Sequence, residues 1–206
     1  RITLRSASGN TPGVTPAISA DPSGKNQRQF KIKEAVAAFT GAACIMAIDK
    51  VKAYFKAFGK ETDVMEFPVS SATVELAATA LHTDPARIAK TVSLYGEEGG
   101  CILIVAAGDR KIDNSKFKLV FGKKAKMLAF EDVEPLTGHA PGGVCPFANP
   151  ADTKVYLDIS LQRFETVFPA CGSANSAIEL TCGELEQYAN SLEWVDVCKE
   201  KGEAPA

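Results

Sequence analysis

The feature that most constrains this sequence is an uncharged apolar run at residues 101–108, which reads Cys-Ile-Leu-Ile-Val-Ala-Ala-Gly. The run is far too short to span a membrane, so its composition predicts a buried strand at the centre of a β-sheet. Hydrophobic residues make up 46% of the chain and charged residues 23%, which is ordinary for a globular protein. With 206 residues, the chain is long enough to bury a sizeable core in one domain around this strand.

Helical and extended patterns alternate on both sides of the apolar run. The predicted helices cover residues 47–58, 74–81 (capped by Ser70 or Ser71), a turn opening at Asp84, and residues 114–121, 131–137 and 184–190. The predicted strands cover residues 64–68, 89–95, 101–107, 155–158, 165–168, 177–180 and 194–197, with 125–129 extended. Many strands with interspersed short helices indicate a mixed α/β or α+β domain rather than a regular doubly wound sheet.

The first 45 residues differ from the rest of the chain in composition and charge. They are rich in Ser, Thr, Gly, Pro and Ala without apolar periodicity, and they carry a net charge of +4, whereas residues 46–206 carry −6. This composition predicts a disordered tail, and its basic, acid-poor character also fits an organelle transit peptide. An upstream extension, an artefact and a start at Met46 are alternatives. We therefore expect a disordered or processed extension at 1–45 and one domain at 46–206.

The cysteines indicate a reducing compartment. Six are present, at positions 44, 101, 145, 171, 182 and 198, but they form no CxxC pair and several lie in apolar stretches. No secretory signal peptide is evident, so we interpret them as mostly buried thiols rather than as a disulfide framework. The expected location is the cytoplasm, unless residues 1–45 direct the chain to an organelle.

The most distinctive stretch is Thr-Gly-His-Ala-Pro-Gly-Gly-Val-Cys-Pro at residues 137–146. Its adjacent glycines allow positive φ and close approach of the backbone to a neighbour, and Pro146 stiffens the exit of the loop. Backbone N–H groups in such a loop can converge on an anion or a carbonyl oxygen. A plain surface turn explains the same residues, since glycine–proline loops are common.

A second candidate is Lys90, which begins a strand otherwise made of apolar and β-branched residues. A lysine in such a position usually faces solvent. If it faces a pocket instead, it is a compact cation whose pKa shifts readily and which can hold a carbonyl or a phosphate group. The sequence alone leaves both orientations open.

A basic run follows the apolar strand. It is either a solvated helix face or a phosphate-contacting patch, which would affect affinity and salt dependence but not sequence choice. Its members are Arg110, Lys111, Lys116, Lys118, Lys123, Lys124 and Lys126.

Other arrangements of reactive residues are weaker. His82 and His139 are the only histidines and no His/Cys spacing matches a zinc site, so no metal or other cofactor is expected. Cys145 near His139 suggests a thiol nucleophile, but both lie on one small loop without an evident third group.

Several motifs occur in a fixed order along residues 48–199. They are Phe-Pro-Val-Ser-Ser-Ala-Thr-Val-Glu-Leu-Ala from Phe67, Ala-Arg-Ile-Ala-Lys-Thr from Ala86, Ile-Leu-Ile-Val from Ile102, Leu-Thr-Gly from Leu136, Gly-Gly-Val-Cys-Pro from Gly142 and Ala-Ile-Glu-Leu from Ala177. In this order they resemble the YbaK-like, prolyl-tRNA-synthetase-associated family of aminoacyl-tRNA deacylases. The ordered set is far more specific than any one motif.

The resemblance implies a fold and an activity. The implied fold is a mixed, partly closed β-sheet surrounded by short helices. The implied activity is hydrolysis of the ester of mischarged tRNA, in trans beside a synthetase or as an inserted domain. The implied partners are mischarged tRNA, with tRNA for proline as one candidate, and an aminoacyl-tRNA synthetase, without membrane contact. The main alternative function is a non-catalytic module that binds aminoacyl-tRNA or an aminoacyl nucleotide.

The resemblance also implies which residues act. Lys90 stands at the position of the family's essential lysine. Ser176 and Ala177 stand where some relatives carry an acidic residue or a histidine, which leaves the amino-acid specificity open. The residues expected to contact the substrate are Thr91, Gly142, Gly143, Val144, Cys145 and Pro146.

Overall fold

The computed structural model describes residues 46–97 and 99–202. Within these ranges the helices are α1 (Ala47–Lys56), α2 (Val74–Leu81), α3 (Asn114–Phe121), α4 (Phe130–Thr137) and α5 (Cys182–Ala189). The strands are β1 (Met65–Glu66), β2 (Ile88–Tyr95), β3 (Cys101–Ala107), β4 (Arg110–Ile112), β5 (Lys154–Asp158), β6 (Thr166–Pro169), β7 (Ser176–Ala177), β8 (Leu180–Thr181), β9 (Trp194–Val195) and β10 (Cys198–Glu200). Three 3₁₀ turns cover Glu61–Asp63, Pro85–Arg87 and Ile159–Arg163.

The apolar run forms a central strand of the main sheet, as its composition predicted. All seven residues of β3 are buried. This strand pairs antiparallel with β2 over seven residue pairs and parallel with β5 on its other edge. The six-stranded sheet has the order β8-β6-β2-β3-β5-β9 and contains both parallel and antiparallel neighbours. The expected mixed α/β fold is therefore confirmed.

Alternate residues of β3 pack into different cores on the two faces of the sheet. Leu103 and Val105 belong to the larger core, together with Phe55 of α1. Ile104 points to the opposite face and packs in a second core with Phe117 of α3. Because both faces are covered, β3 needs apolar side chains at every position, which explains its uniform composition.

The start of α2 differs from the sequence prediction. Thr73 caps this helix, because its hydroxyl oxygen accepts a hydrogen bond from the N–H of Leu76. The prediction of a Ser70 or Ser71 cap is wrong, because both hydroxyls instead donate to the carbonyl oxygen of Ala174. These bonds tie the segment before α2 to the loop that precedes β7.

The remaining differences concern short strands near the end of the chain. The single strand predicted at 177–180 is two strands, because β7 pairs with β1 whereas β8 pairs with β6. The strand predicted at 194–197 ends at Val195, and the N–H of Val197 donates to the buried carboxylate of Asp158 at 3.0 Å. The β4–β10 pair was not predicted, because each strand is three residues long and largely charged.

One edge of β2 is covered only in part. On the edge away from β3, β6 pairs with it at Ile88 and Ala89 alone. Residues 126–128 cover its far end through backbone hydrogen bonds to Ser93 and Tyr95. No other described strand pairs with this edge between these two contacts, at residues 90–92. The main sheet therefore has a gap along β2, which we call the β2 gap.

The expectations for residues 1–45, including Cys44, lie outside the described residues and stay predictions. The five cysteines inside the described ranges are free. Among residues 46–97 and 99–202, no helix combines the length and the apolar composition needed to cross a membrane.

Candidate functional site

A cavity of about 320 Å³ opens at the β2 gap. β2 forms one wall, and the opposite wall comes from the start of α2, the loop at 141–144 and β7. The space is large enough for a small ligand or for one end of a larger one. The lining residues used below are Thr73, Lys90, Thr91, Met127, Val133, Gly142, Val144, Ser176 and Ala177.

Lys90 lies half-buried at this cavity. Its ammonium donates hydrogen bonds to the backbone carbonyls of Gly108, at 3.3 Å in the turn after β3, and of Arg110, the first residue of β4. The dipoles of these two carbonyl groups therefore stabilise the positive charge of Lys90. Burial lowers the pKa of Lys90 to about 8, and the nearby Lys201 ammonium acts in the same direction.

Thr91 presents unpaired polar groups to the β2 gap. Because Ser93 and Tyr95 turn their backbone groups toward this edge, strand alternation directs those of Thr91 there as well. No described strand pairs with Thr91 on that side. Its Oγ1 is also buried without a hydrogen-bond partner in the described part of the chain. Since buried polar groups are normally hydrogen-bonded, Thr91 marks a place where a ligand could supply the partners.

The glycine loop turns one glycine toward the cavity and packs the other against backbone. Gly142 lines the cavity and has a φ of +88°, a conformation that favours glycine. A Cβ atom on Gly143 would lie 2.9 Å from the Cα of Ser173 and 3.0 Å from the Gly172 carbonyl, so glycine is required for the close approach. The N–H of Gly143 donates to the Ala140 carbonyl at 2.9 Å and closes the turn.

The rest of the loop divides between the cavity and the core. Val144 lines the cavity, whereas Gly143, Cys145 and Pro146 are buried and do not line it. The structure thus brings Lys90, Thr91, Gly142 and Val144 together at one space and places the other three predicted contact residues behind it.

Cys145 is not arranged as a nucleophile. The side chain is fully buried, and burial raises the pKa of its thiol to about 12. His139 Nε2 lies 3.5 Å from the Cys145 Sγ but only 2.9 Å from the Phe147 carbonyl. A ring nitrogen that donates to a carbonyl carries a proton and cannot accept one from the thiol. Burial also lowers the pKa of His139, which favours the neutral ring.

The wall opposite β2 is uncharged. Ser176 is 2% exposed, and its oxygen lies 2.7 Å from the hydroxyl of Ser173, which donates to it. Ala177 follows on β7, and Val133 and Val144 add apolar surface. No Asp, Glu, His or Cys is among the described residues that line the cavity. Nor could any group of three such side chains in the described ranges hold a metal ion.

Several lining residues, among them Thr73 and Met127, were not predicted as site residues. Thr73 borders the cavity from α2, and the motif beginning at Phe67 was the signal that could have shown it. Met127 borders the cavity although it is 68% exposed. Met127 is held there by a backbone bridge to Leu94, which is distant in sequence, so no local sequence pattern could have predicted its position.

Comparison with known proteins adds independent information. A family model described as an aminoacyl-tRNA editing domain matches residues 69–188, which is more than half of the chain. The matched region contains the whole of β2 and the glycine loop.

Three similar proteins illustrate the range of the resemblance. YwhH of Bacillus subtilis (strain 168), an uncharacterized protein, is 54% identical over 155 residues, covering 75% of this chain and 99% of YwhH. EbsC of Enterococcus faecalis, a candidate Cys-tRNA(Pro)/Cys-tRNA(Cys) deacylase, is 29% identical over 109 residues, covering 52% of this chain and 66% of EbsC. The crystal structure of a candidate trans-editing enzyme for prolyl-tRNA synthetase has 26% identity and a TM-score of 0.67, covering 78% of this chain and 100% of that one.

The packing of Gly143 yields a first prediction. Gly143→Ala should destabilise the protein by about 1–3 kcal/mol, because the new methyl group meets backbone atoms that must move. Gly183→Ala on α5 is the matched control, since nothing lies within 4 Å of its added Cβ atom and alanine favours a helix. Urea unfolding of both variants measures the difference. Equal stability of the Gly143 variant and wild type would contradict the described packing.

Proposed function

The chain belongs to the aminoacyl-tRNA editing domain family, and from this membership we propose that it hydrolyses the ester that joins a wrong amino acid to the terminal adenosine of a tRNA. The family resemblance inferred from the sequence is confirmed, and editing of aminoacyl-tRNA is the function that the family and its named relatives support. The observation that carries the finer proposal is that Lys90, Thr91 and Gly142 meet at one cavity.

An aminoacyl ester is already reactive, so the protein need not supply a strong nucleophile. It must hold the ester carbonyl, position a water molecule and stabilise the oxyanion that develops. Backbone N–H groups of the loop around Gly142 are suited to this task. The N–H of Gly143 is already bonded to Ala140, so the groups left for substrate are those of its neighbours.

Lys90 is proposed to anchor the terminal adenosine or its phosphate and to polarise the site. Its ammonium is bound by two carbonyl groups and sits where burial disfavours the charge. A phosphate oxygen would offer this cation a stronger partner than a carbonyl dipole, since ionised pairs form shorter and stronger hydrogen bonds. Substrate binding would therefore give the Lys90 ammonium a stronger electrostatic partner than it has in the free protein.

The attacking water is proposed to be activated by the substrate itself. The described lining residues include no carboxylate and no imidazole, so the cavity offers no conventional general base. The free ribose hydroxyl next to the ester lies close to the scissile carbonyl in any aminoacyl-tRNA. That hydroxyl can orient the water while the loop holds the carbonyl.

Substrate choice is proposed to favour small, uncharged amino acids. Val133, Val144 and Ala177 give the space apolar surface, and the side chains of its Ser and Thr residues add uncharged hydroxyls. Cys-tRNA(Pro), named for the relative EbsC, and Ala-tRNA(Pro) are the first substrates to test. We propose that the domain spans residues 46–206 and acts in trans beside a synthetase, as the solved relative's description suggests for that protein.

A non-catalytic binding module is the second candidate, and the missing base in the described cavity is the observation that favours it. A panel of mischarged tRNAs separates the two functions. Loss of the ester faster than in buffer alone supports the deacylase. Saturable binding of aminoacyl-tRNA without faster loss of the ester would establish the module instead.

Replacement of the anchoring cation is the second prediction. Lys90→Ala should lower the rate of ester hydrolysis by roughly 10²-fold, because losing one partner of a charged, hydrogen-bonded pair costs about 2–5 kcal/mol. Folding should be preserved, since removing the half-buried ammonium also removes the desolvation cost that lowers its pKa. Lys56→Ala, on the exposed end of α1, is the matched control. Retained hydrolysis in the Lys90 variant would refute the assigned role.

The pH profile is the third prediction. If the ammonium form anchors substrate, hydrolysis above the uncatalysed background should fall as pH rises through about 8, the lowered pKa of Lys90. The groups around it are Lys201, which lowers the pKa, and Cys198, Asp109 and Glu75, which raise it.

Unfolding does not explain such a fall. The pKa of Lys90 lies below the ordinary value of 10.5, so its contribution to folding becomes more favourable as pH rises from about 8 toward 10.5. Thermal unfolding measured at the same pH values provides this control. A rate that instead rises through pH 8 would mean that the neutral amine acts as a base.

A further inference from the structure

A lysine-rich and apolar surface adjoins the cavity, and we call it the flanking surface. It is formed by the exposed side of α3, the segment that follows it and the first residue of α4. Its members are Lys118, Leu119, Lys123, Lys124, Met127 and Phe130. The described body of the protein is otherwise acidic, so a local group of lysines is distinctive.

The basic run of the sequence divides into bonded and unbonded cations. Arg110 pairs with Glu200, Lys116 pairs with Asp196, and the Lys126 ammonium lies 4.8 Å from the centre of the Tyr95 ring. Lys118, Lys123 and Lys124 form no ion pair with any described residue. These three lysines are therefore available to an anionic partner.

The same surface exposes large apolar side chains. Leu119 is 87% exposed, Phe130 77% and Met127 68%. Exposed apolar groups beside cations suit a partner that carries both phosphates and flat apolar faces. Single-stranded nucleic acid has this combination, because its bases stack on apolar and aromatic side chains while lysines follow the backbone.

The backbone connects the flanking surface to the proposed site. Residues 126–128 run antiparallel to the far end of β2, with a bridge between Leu94 and Met127. Met127 therefore belongs to the flanking surface and to the cavity wall at once. A chain whose end enters the β2 gap next to Met127 would continue across the surface.

We infer that the flanking surface binds the acceptor end of the tRNA, with its phosphates on Lys118, Lys123 and Lys124 and its unpaired bases on Met127 and Phe130. This inference rests on the proposed function, since it assumes that the aminoacyl end lies in the cavity. An anionic membrane could also attract lysines and apolar groups. Continuity with the cavity favours RNA, because a flat lipid surface makes no use of the gap.

The test compares two double variants that lose the same charge. Lys123→Ala with Lys124→Ala removes two cations of the flanking surface. Lys50→Ala with Lys56→Ala removes two exposed lysines of α1, a helix that does not line the cavity. Binding of uncharged tRNA is measured by fluorescence anisotropy over a range of salt concentrations.

The first variant should bind more weakly and show a salt slope smaller by about 0.7–0.9 for each lysine that contacts a phosphate. The α1 variant should match wild type. Phe130→Ala should weaken binding roughly tenfold with an unchanged salt slope, because stacking releases no counterions. The inference would be overturned if both lysine double variants bound tRNA with equal affinity. It would also be overturned if the Lys123/Lys124 variant lost binding only to vesicles that contain anionic lipid and bound tRNA as wild type does.

Hydrolysis of a minimal aminoacyl-adenosine ester separates this inference from the proposed function. Lys123 and Lys124 do not line the cavity that would hold the minimal substrate, so the Lys123/Lys124 variant should hydrolyse it at the wild-type rate. If wild type hydrolyses no aminoacyl ester but the two double variants differ in tRNA binding, the deacylase proposal is refuted, whereas tRNA binding by the flanking surface is supported. If wild type hydrolyses aminoacyl esters but both double variants bind tRNA with equal affinity, only the inference about the flanking surface is refuted.

Discussion

The antiparallel pairing of β2 with β3 is the interaction on which the rest of the structure depends. β3 is buried on both faces, so it holds β2 firmly along one edge. The opposite edge of β2 is paired only at its two ends, which leaves the backbone groups of Thr91 without strand partners in the described part of the chain. A rigid strand with an unpaired stretch is a preorganised surface, because the polar groups stay fixed whether or not a ligand is present.

The chemistry of the site follows from how the protein closes this gap. Gly142 approaches the cavity because Gly143 packs tightly on the Gly172 backbone and fixes the loop. Lys90 stays half-buried because the carbonyl groups of Gly108 and Arg110 accept its hydrogen bonds, and this burial lowers its pKa. The cavity thus combines one charged side chain, Lys90, with backbone dipoles and the hydroxyls of Ser and Thr residues. That combination suits stabilisation of charge on a reactive ester better than nucleophilic attack by the protein.

Features set by local composition were predictable, and features set by distant pairing were not. Residues 101–107 could be assigned as a buried strand because every position is apolar. The cap of α2 was assigned wrongly because Ser70, Ser71 and Thr73 are all suitable N-cap residues by local sequence. The two serines do not cap the helix because their hydroxyls donate to the carbonyl of Ala174, which is distant in sequence. The β2 gap could not be predicted, since it exists only because two distant segments cover the ends of one edge. The orientation of Lys90 was open for the same reason.

The most direct measurement is a crystal structure of the protein with a non-hydrolysable, amide-linked aminoacyl-adenosine. We expect the aminoacyl group to occupy the β2 gap, with polar contacts to Thr91 and with its carbonyl group beside the loop at Gly142. The adenosine should lie within reach of Lys90, and the end that continues into the tRNA should be directed toward Met127. A ligand bound on the other face of the sheet, or outside the gap with Thr91 still unpartnered, would show that the β2 gap is not the substrate site.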